Sequence, residues 1–260
     1  MSDYTFQFIA IIIYFVAMIL IGLYGFRKTA DLDDYMLGGR RLGPLASALS
    51  AGASDMSQWL LMGLPGALYV AGLVEIWMPI GLAVGTWLNW KIVAPRLRTY
   101  SQVANNSITI PSFLDNRFKQ NAKLLRVISG IIILLFFTFY VSSGMVAGGV
   151  FFHEAFEFSY HTGLIIVGSV TIIYTFIGGF LAVSYTDVIQ GTMMFLALLL
   201  VPIFGLFAIG GFDEVATNAI AVNPDVFNIF STATFLGTIS LLAWGLGYFG
   251  RPHIIFALWQ

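Results

Sequence analysis

The sequence predicts an all-α polytopic membrane protein that crosses the bilayer about seven times. Of its 260 residues, 58% are hydrophobic and only 10% are charged, whereas soluble domains carry about 25% charged residues. The 12 basic and 13 acidic side chains nearly cancel, so nothing favours nucleic acid as a partner. There is no cysteine, which excludes disulfides, thiolate metal sites and cysteine nucleophiles. This composition excludes both a soluble enzyme and a disordered chain.

Seven apolar segments are long enough to cross the roughly 30 Å hydrocarbon layer, which takes about 20 helical residues. They are predicted near residues 5–26, 45–70, 72–90, 127–150, 162–182, 188–210 and 231–249. The first segment lacks a basic region before it and a small-residue cleavage site before Arg27. We therefore interpret it as a retained helix rather than a signal peptide.

Lysine and arginine residues predict the orientation, because cytoplasmic loops carry an excess of them. Four lie between the first and second segments, seven between the third and fourth, and one, Arg251, follows the seventh. This pattern places the N-terminus outside and the C-terminus inside the plasma (inner) membrane. The loop over residues 94–126 is polar and basic, and its spread-out charges favour a topogenic role over binding of anionic lipid.

Asp55 is the one acidic residue predicted far from either end of a membrane segment. A carboxylate at that depth costs about 2.5–3.5 kcal/mol on insertion scales, so such a residue usually faces a cavity and pairs with a cation or substrate. Small and hydroxyl-bearing residues surround it, and two glycines and a proline follow, which predicts an interrupted helix with freed carbonyls. With the hydroxyl of Ser57, these oxygens suit a small hard cation such as Na⁺. The alternative is a protonated Asp at a helix contact.

Asp187 is predicted at the cytoplasmic end of the fifth and sixth segments. It is either a solvated residue or a cap of the sixth helix, or it is a waypoint for a cation moving inward. The sequence does not distinguish these interpretations.

Four aromatic residues with polar groups lie inside predicted segments rather than only at the interfaces: Trp59, Tyr140, Trp244 and Tyr248. Packing is the ordinary role of aromatic residues at such depth. Trp244 and Tyr248, however, have the i, i+4 spacing of one helix face and lie in a glycine-rich stretch. Walls of this kind suit a pocket for an apolar ring with one charged end.

The sequence contains no pattern that we interpret as a catalytic motif. Residues 245–250 match the dinucleotide-binding fingerprint, but no strand precedes them within a βαβ unit. The chain shows no Ser/His/Asp constellation, phosphate loop or zinc-protease motif. We therefore expect neither an enzyme nor an organic cofactor.

Several stretches resemble the sodium/solute symporter family: DDYMLGGR (33–40), SALSAGASDMS (47–57), WLLMGLPG (59–66), YTFIGGFLAVS (174–184) and WGLGYFG (244–250), followed by Pro252 and His253. The resemblance implies a LeuT-type inverted-repeat fold and Na⁺-coupled symport of L-proline into the cell by alternating access. It implies that residues 1–260 form a single membrane domain. Helix 1 would be an extra N-terminal span, helices 2–6 the first repeat, and helix 7 the start of the second.

The resemblance also implies site residues. The carbonyls of Ala53 and Met56 are implied at a Na⁺ site, and Asp55 and Ser57 are implied in Na⁺-dependent proline binding. The residues implied to line the proline pocket are Trp59, Tyr140, Trp244, Tyr248 and Pro252. Gln58 stands where the family's proline symporters usually have glycine, so its side chain either narrows the pocket or adds an amide contact.

Two further roles follow from the same resemblance. Arg40 is implied in coupling near the inner mouth, and Asp187 on the inward Na⁺ route. The family's fold has more helices than are predicted here, so we expect an N-terminal half that is inactive alone. The expected partners are L-proline and the lipid bilayer, with no nucleic acid and no known protein partner.

Three alternatives remain open. The chain could belong to a Na⁺ symporter for another small solute, such as a betaine-like osmolyte or another amino acid. It could be the symporter-like sensor module of a receptor kinase, or a degenerate truncation without function.

Overall fold

The computed structural model describes residues 3–40, 42–55, 59–118, 122–231 and 234–251, and this part of the chain is helical without a strand. Its α-helices are α1 (Asp3–Lys28), α2 (Leu32–Leu37), α3 (Pro44–Asp55), α4 (Leu64–Ala71), α5 (Trp77–Leu88), α6 (Ala94–Val103), α7 (Ile110–Arg117), α8 (Ala122–Phe156), α9 (Tyr160–Ile209), α10 (Phe212–Val222) and α11 (Phe235–Leu242). Tighter 3₁₀ turns occupy Gly38–Arg40, Leu73–Ile76 and Ala243–Phe249, and wider π turns occupy Trp59–Gly63 and Asn89–Val93.

Three of the described helices are long and apolar enough to cross a membrane: Thr5–Lys28, Lys123–Phe156 and Tyr160–Ile209. They cover the first, the fourth, and the combined fifth and sixth predicted segments. The remaining predicted segments are divided into shorter pieces, of which Phe235–Phe249 is the longest apolar one. The division arises where 3₁₀ and π turns replace α-helical geometry.

Helix α9 contains a sharp kink at Gly179, whose φ of 59° and ψ of −157° are not helical. A Cβ there would lie 2.8 Å from the carbonyl oxygen of Tyr35, so only glycine fits. The Tyr35 hydroxyl donates to the carbonyl of Phe176 at 3.2 Å, which satisfies a backbone group that the kink removes from the helical pattern. The predicted break between residues 182 and 188 is wrong, because those residues are helical.

The described residues form two compact units. The first is drawn from Met1–Ala51 and Arg98–Ile189, and the second from Gly52–Leu97 and Gln190–Leu258. In the first unit α1 packs on α9, where a Cβ on Gly25 would lie 2.8 Å from that of Ala182. Close backbone approach through small residues is the usual way for helices to associate in lipid.

The predicted polar loop over residues 94–126 contains two helices, α6 and α7. Helix α7 begins at a capping box in which Thr109 accepts from the backbone N–H of Ser112 at 3.2 Å. The side-chain amide of Asn116 donates to the hydroxyl of Ser107 at 2.9 Å and holds the turn between the helices. The connection between the third and fourth predicted segments therefore contains two helices, and local capping fixes the start of α7.

In the second unit, α5 packs against α11 and against the 3₁₀ turn Ala243–Phe249 at glycine positions. A Cβ on Gly85 would lie 2.2 Å from the carbonyl oxygen of Gly245, and one on Gly245 would lie 2.1 Å from that of Gly81. No side chain fits between these backbones. The contact fixes the 3₁₀ turn beside α5; that turn contains Tyr248, one partner of Asp55, and Arg251, the other, follows its end by two residues.

Candidate functional site

Asp55 is the last residue of α3, and its side chain is only 8% exposed. One carboxylate oxygen accepts from the hydroxyl of Tyr248, and the other accepts from Nη1 of Arg251. The sequence predicts a buried acid that needs a cation, and the structure supplies a guanidinium from the same unit. Asp55 and Arg251 thus form a largely buried ion pair with a phenol as the third member.

The 3₁₀ turn Ala243–Phe249 positions both partners of Asp55. The backbone N–H of Arg251 donates to the carbonyl of Gly247 at 3.2 Å, and its guanidinium lies 5.6 Å from the Tyr248 ring centroid. A Cβ on Gly247 would lie 3.4 Å from Nε of Arg251, so the guanidinium folds over a residue without a side chain. The glycine-rich sequence therefore lets a long side chain turn back toward Asp55.

Two indole rings stack in the same unit. Trp59 begins the π turn, and its ring centroid lies 5.8 Å from that of Trp244, with the ring planes 16° apart. The two contacting segments run antiparallel. Asp55 contacts Tyr248, and Trp59, four residues after Asp55, contacts Trp244, four residues before Tyr248. This arrangement puts an extended apolar surface next to a pair of opposite charges.

The predicted single face for Trp244 and Tyr248 is wrong in its geometry. The i, i+4 spacing shares a face in an α-helix, but the segment is a 3₁₀ turn with about three residues per turn. The two side chains therefore diverge, one onto Trp59 and the other onto Asp55. Both nevertheless line the same part of the second unit.

Two polar residues lie on and just after helix α5. The Thr86 hydroxyl donates to the carbonyl of Leu82 at 2.8 Å, and Asn89 follows three residues later, at the start of the π turn Asn89–Val93. The Asn89 side chain is fully buried, and neither of its amide atoms has a hydrogen-bond partner among the described residues. A buried amide of this kind is costly unless something satisfies it.

The end of α3 favours a cation. The last four carbonyls of an α-helix have no helical donor, and this end of the helix dipole is negative. Ala53, whose carbonyl is an implied Na⁺ ligand, lies in that last turn. Met56, Ser57 and Gln58 lie outside the described residues, as does Pro252.

Two other predicted site residues belong to the first unit. Tyr140 lies on α8, where its ring packs 5.8 Å from that of Phe137 and is 37% exposed. Arg40 ends the 3₁₀ turn Gly38–Arg40, and its side chain is outside the described part of the structure.

Asp187 lies inside helix α9 and is 7% exposed. The interpretations as a solvated interfacial acid or as a helix cap are therefore wrong, because the helix continues through it. The hydroxyl of Ser50 donates to its Oδ2 at 2.7 Å, and the hydroxyls of Ser50 and Ser184 are 3.4 Å apart. The first unit thus holds its own buried carboxyl group among hydroxyls.

We expect Ser50→Ala to lower the free energy of unfolding by about 1.5–3 kcal/mol, because a hydrogen bond to a charged group contributes that much. Ser184→Ala is the matched control, since Ser184 is equally buried and its hydroxyl contacts Ser50 only at 3.4 Å. Unfolding by SDS in mixed micelles measures both variants. Equal losses for the two would contradict a specific contribution of the hydrogen bond from Ser50 to Asp187.

Sequence reasoning missed Arg251, Asn89 and Ser50. From the sequence, Arg251 counts only as a charge that sets orientation, although it follows Tyr248 by three residues. Asn89 carried a weak signal, as an amide inside an otherwise apolar segment. Ser50 stands in the small-residue stretch before Asp55, where its partner depends on tertiary packing that the sequence does not show.

The chain is similar to a known protein family and to several of its members. Residues 35–258 match the sodium:solute symporter family. The chain is 60% identical over 238 residues to the high-affinity proline transporter PutP of Bacillus subtilis, covering 92% of this chain and 50% of the relative. It is 53% identical over 243 residues to the osmoregulated proline transporter OpuE of the same organism, with 94% and 49% covered.

A sodium/proline symporter of Staphylococcus aureus is 50% identical over 252 residues, covering 95% of this chain and 48% of the relative. The chain thus spans about half the length of the curated relatives it matches. A solved Na⁺-coupled sialic acid symporter in a substrate-bound outward-open state has a TM-score of 0.71 at 20% identity, covering 94% of this chain and 57% of that one. This likeness concerns the fold, and it confirms the predicted all-α symporter architecture.

Proposed function

Because the chain belongs to the sodium:solute symporter family, we propose that it carries the N-terminal ion and substrate sites of a Na⁺-coupled symporter for L-proline. Three relatives at 50–60% identity are named as proline transporters. The observation that carries the proposal is the buried carboxylate of Asp55 at the end of α3, beside two stacked indoles. The family moves solutes across membranes rather than transforming them.

The proposed Na⁺ site lies at the C-terminal end of α3. The carboxylate of Asp55 and the carbonyl of Ala53 supply hard oxygens, and Met56 and Ser57 follow directly in the chain. The negative end of the helix dipole adds to the attraction. Na⁺ at this position would tie the end of α3 to the residues that follow it and so shape the substrate site.

The proposed proline site uses the aromatic groups of the second unit. The indoles of Trp59 and Trp244 offer an apolar surface for the pyrrolidine ring. Tyr248 orients the carboxylate of Asp55 by hydrogen bonding. Gln58, Tyr140 and Pro252 complete the set that we assign to substrate.

Release of the ion toward the cytoplasm is proposed to involve the first unit. Asp187, buried with Ser50, is a second carboxyl group for Na⁺ after it leaves Asp55. Arg40 is proposed to couple this step to opening of the inner mouth. In this scheme the N-terminus lies outside, the C-terminus inside, and the protein works in the plasma membrane without an organic cofactor.

Uptake of labelled L-proline into proteoliposomes tests the proposal. We expect the 260 residues alone to give no Na⁺-dependent uptake, because they span about half the length of their relatives. The same residues joined to the second half of B. subtilis PutP should give uptake that stops when K⁺ replaces Na⁺. Equal uptake by both preparations, or none by the joined chain, would contradict the proposal.

Competition in the joined chain identifies the solute. Unlabelled L-proline should compete best, whereas glycine betaine and other neutral amino acids should compete weakly. A stronger effect of betaine would assign the chain to the transport of another osmolyte.

A further inference from the structure

The pairing of Asp55 with Arg251 puts two opposite charges side by side within one unit. Their burial differs: the Asp55 side chain is 8% exposed, whereas the Arg251 side chain is 32% exposed. The carboxylate is therefore held in the protein, and the guanidinium is the member that a ligand can approach. The pair has no net charge.

Arg251 has binding capacity beyond this contact. A guanidinium carries five N–H donors in a planar fork that matches a carboxylate. The hydrogen bond to Asp55 uses Nη1. Gly247 and Gly250 flank the residue without side chains, and a Cβ on Gly250 would meet nothing within 4 Å. Among the described residues, the surroundings thus leave room for a second carboxylate at the fork.

Resting on the proposed function, we propose that Arg251 is the receptor for the carboxylate of the transported amino acid, while Asp55 takes its ammonium group. When the ligand binds, the ion pair between Asp55 and Arg251 is replaced by two ion pairs, one between Asp55 and the ligand's ammonium group and one between Arg251 and its carboxylate. Arg251 is then a specificity-determining residue that selects zwitterions, and the stacked indoles select a compact apolar side chain.

Electrostatics favour a zwitterion over an organic solute with a single charge. An organic cation without a carboxylate would compete with Arg251 for Asp55 and give the guanidinium no new partner. An anion without an ammonium group would draw Arg251 away and leave the buried carboxylate of Asp55 without its guanidinium, which is strongly unfavourable. Among organic solutes, only one with both charges offers a partner to each residue.

The competing interpretation is a permanent structural ion pair that fixes the 3₁₀ turn against α3. In that case Arg251 would affect all ligands equally, through the shape of the site. The zwitterion interpretation predicts that the effect depends on whether the ligand carries a carboxylate. Ligand chemistry therefore distinguishes the two.

Binding of labelled L-proline in lipid nanodiscs tests the inference, with both the 260 residues and the joined chain of the uptake experiment. The competitors are L-proline, pyrrolidine, which has the ammonium group alone, and cyclopentanecarboxylate, which has the carboxylate alone. Arg251→Gln should weaken L-proline binding by about 10- to 100-fold, since a lost hydrogen bond to a charged group has that effect. Pyrrolidine binding should change by less than about 3-fold or strengthen, because its ammonium group needs only Asp55.

Two further variants keep the test decisive. Arg251→Lys keeps the positive charge but loses the planar fork, so L-proline binding should fall by less than in Arg251→Gln. Arg126→Gln removes the exposed partner of Asp115 and should match the parent. If Arg251→Gln does not fold, Arg251→Lys still tests the inference, because it should weaken the binding of L-proline more than the binding of pyrrolidine.

Equal changes for L-proline and pyrrolidine, or no change for either, would overturn the role of Arg251 while the proposed function stands. Failure of the parent joined chain to bind L-proline would overturn the proposed function and this inference with it.

Discussion

Replacing Arg251 by methionine lowers the free energy of unfolding by about 3–5 kcal/mol, because the carboxylate of Asp55 stays in a site where it is 8% exposed and loses its cation. Removing one member of a buried ion pair is more harmful than removing both. The double variant Asp55→Asn with Arg251→Met should therefore recover most of the loss. Titration with SDS in mixed micelles, followed by helical circular dichroism, measures all three.

The exposed ion pair of the first unit is the control for this cycle. Arg126 and Asp115 are 3.2 Å apart, with side-chain exposures of 59% and 24%. Arg126→Met should cost about 0–1 kcal/mol, as exposed pairs generally do. If the two arginine variants lose equal stability, or if the double variant loses the sum of both single losses, Asp55 and Arg251 do not form a coupled buried pair.

Sequence reasoning predicted that Asp55 pairs with a cation or a substrate, because an acid deep in a membrane segment is costly whatever the fold, and the structure pairs it with Arg251. Sequence reasoning did not identify Arg251, which is 196 positions away along the chain. A pairing over that distance depends on how α3 and the 3₁₀ turn Ala243–Phe249 come together. The sequence indicates that the Asp55 carboxylate needs a partner, but it does not indicate that the partner is Arg251.

The error at Asp187 has a local cause. The break is predicted between residues 182 and 188, a stretch that contains the polar residues 184–187. The chain actually kinks at Gly179, because glycine adopts a positive φ there and Tyr35 covers a freed carbonyl. The Gly178–Gly179 pair was the available signal. Because the kink lies at Gly179 and not near residue 187, Asp187 lies inside a helix and is buried rather than solvated.

The start of α7 was predictable in principle. Thr109 and Ser112 have the spacing of an N-terminal cap, and Pro111 lies at the first turn, where proline is favoured. The charge pattern of residues 94–126 predicts orientation, and it carries no information about this cap. Geometry that departs from the α-helix, as in the 3₁₀ turn Ala243–Phe249, is harder to predict, because glycine density indicates irregular backbone without specifying which kind.

Gly85→Ala disrupts the second unit because the new Cβ would lie 2.2 Å from the carbonyl oxygen of Gly245. Helix propensity alone would favour alanine by about 1 kcal/mol, but overpacking typically costs about 1–3 kcal/mol and more when backbone must move. The atoms that oppose the new Cβ belong to the backbone of Gly245, which cannot rotate away as a flexible side chain can. The steric cost therefore exceeds the gain in helix propensity. The 3₁₀ turn must move away from α5, which carries Tyr248 and Arg251 away from Asp55. We expect lower stability and a loss of L-proline uptake of at least about 10-fold in the joined chain.

Gly237→Ala on α11 separates this steric effect from propensity. Among the described residues, a Cβ there would meet only the Thr234 hydroxyl at 3.4 Å, an ordinary contact, so stability should rise by up to about 1 kcal/mol and uptake should not change. Gly245→Ala should behave as Gly85→Ala does, because its Cβ would lie 2.1 Å from the carbonyl oxygen of Gly81. If alanine at residue 85 or 245 is tolerated as well as at residue 237, the glycine contact does not position the partners of Asp55. The ion pair would then have to be held by the chain that follows the turn, where the backbone N–H of Arg251 meets the carbonyl of Gly247.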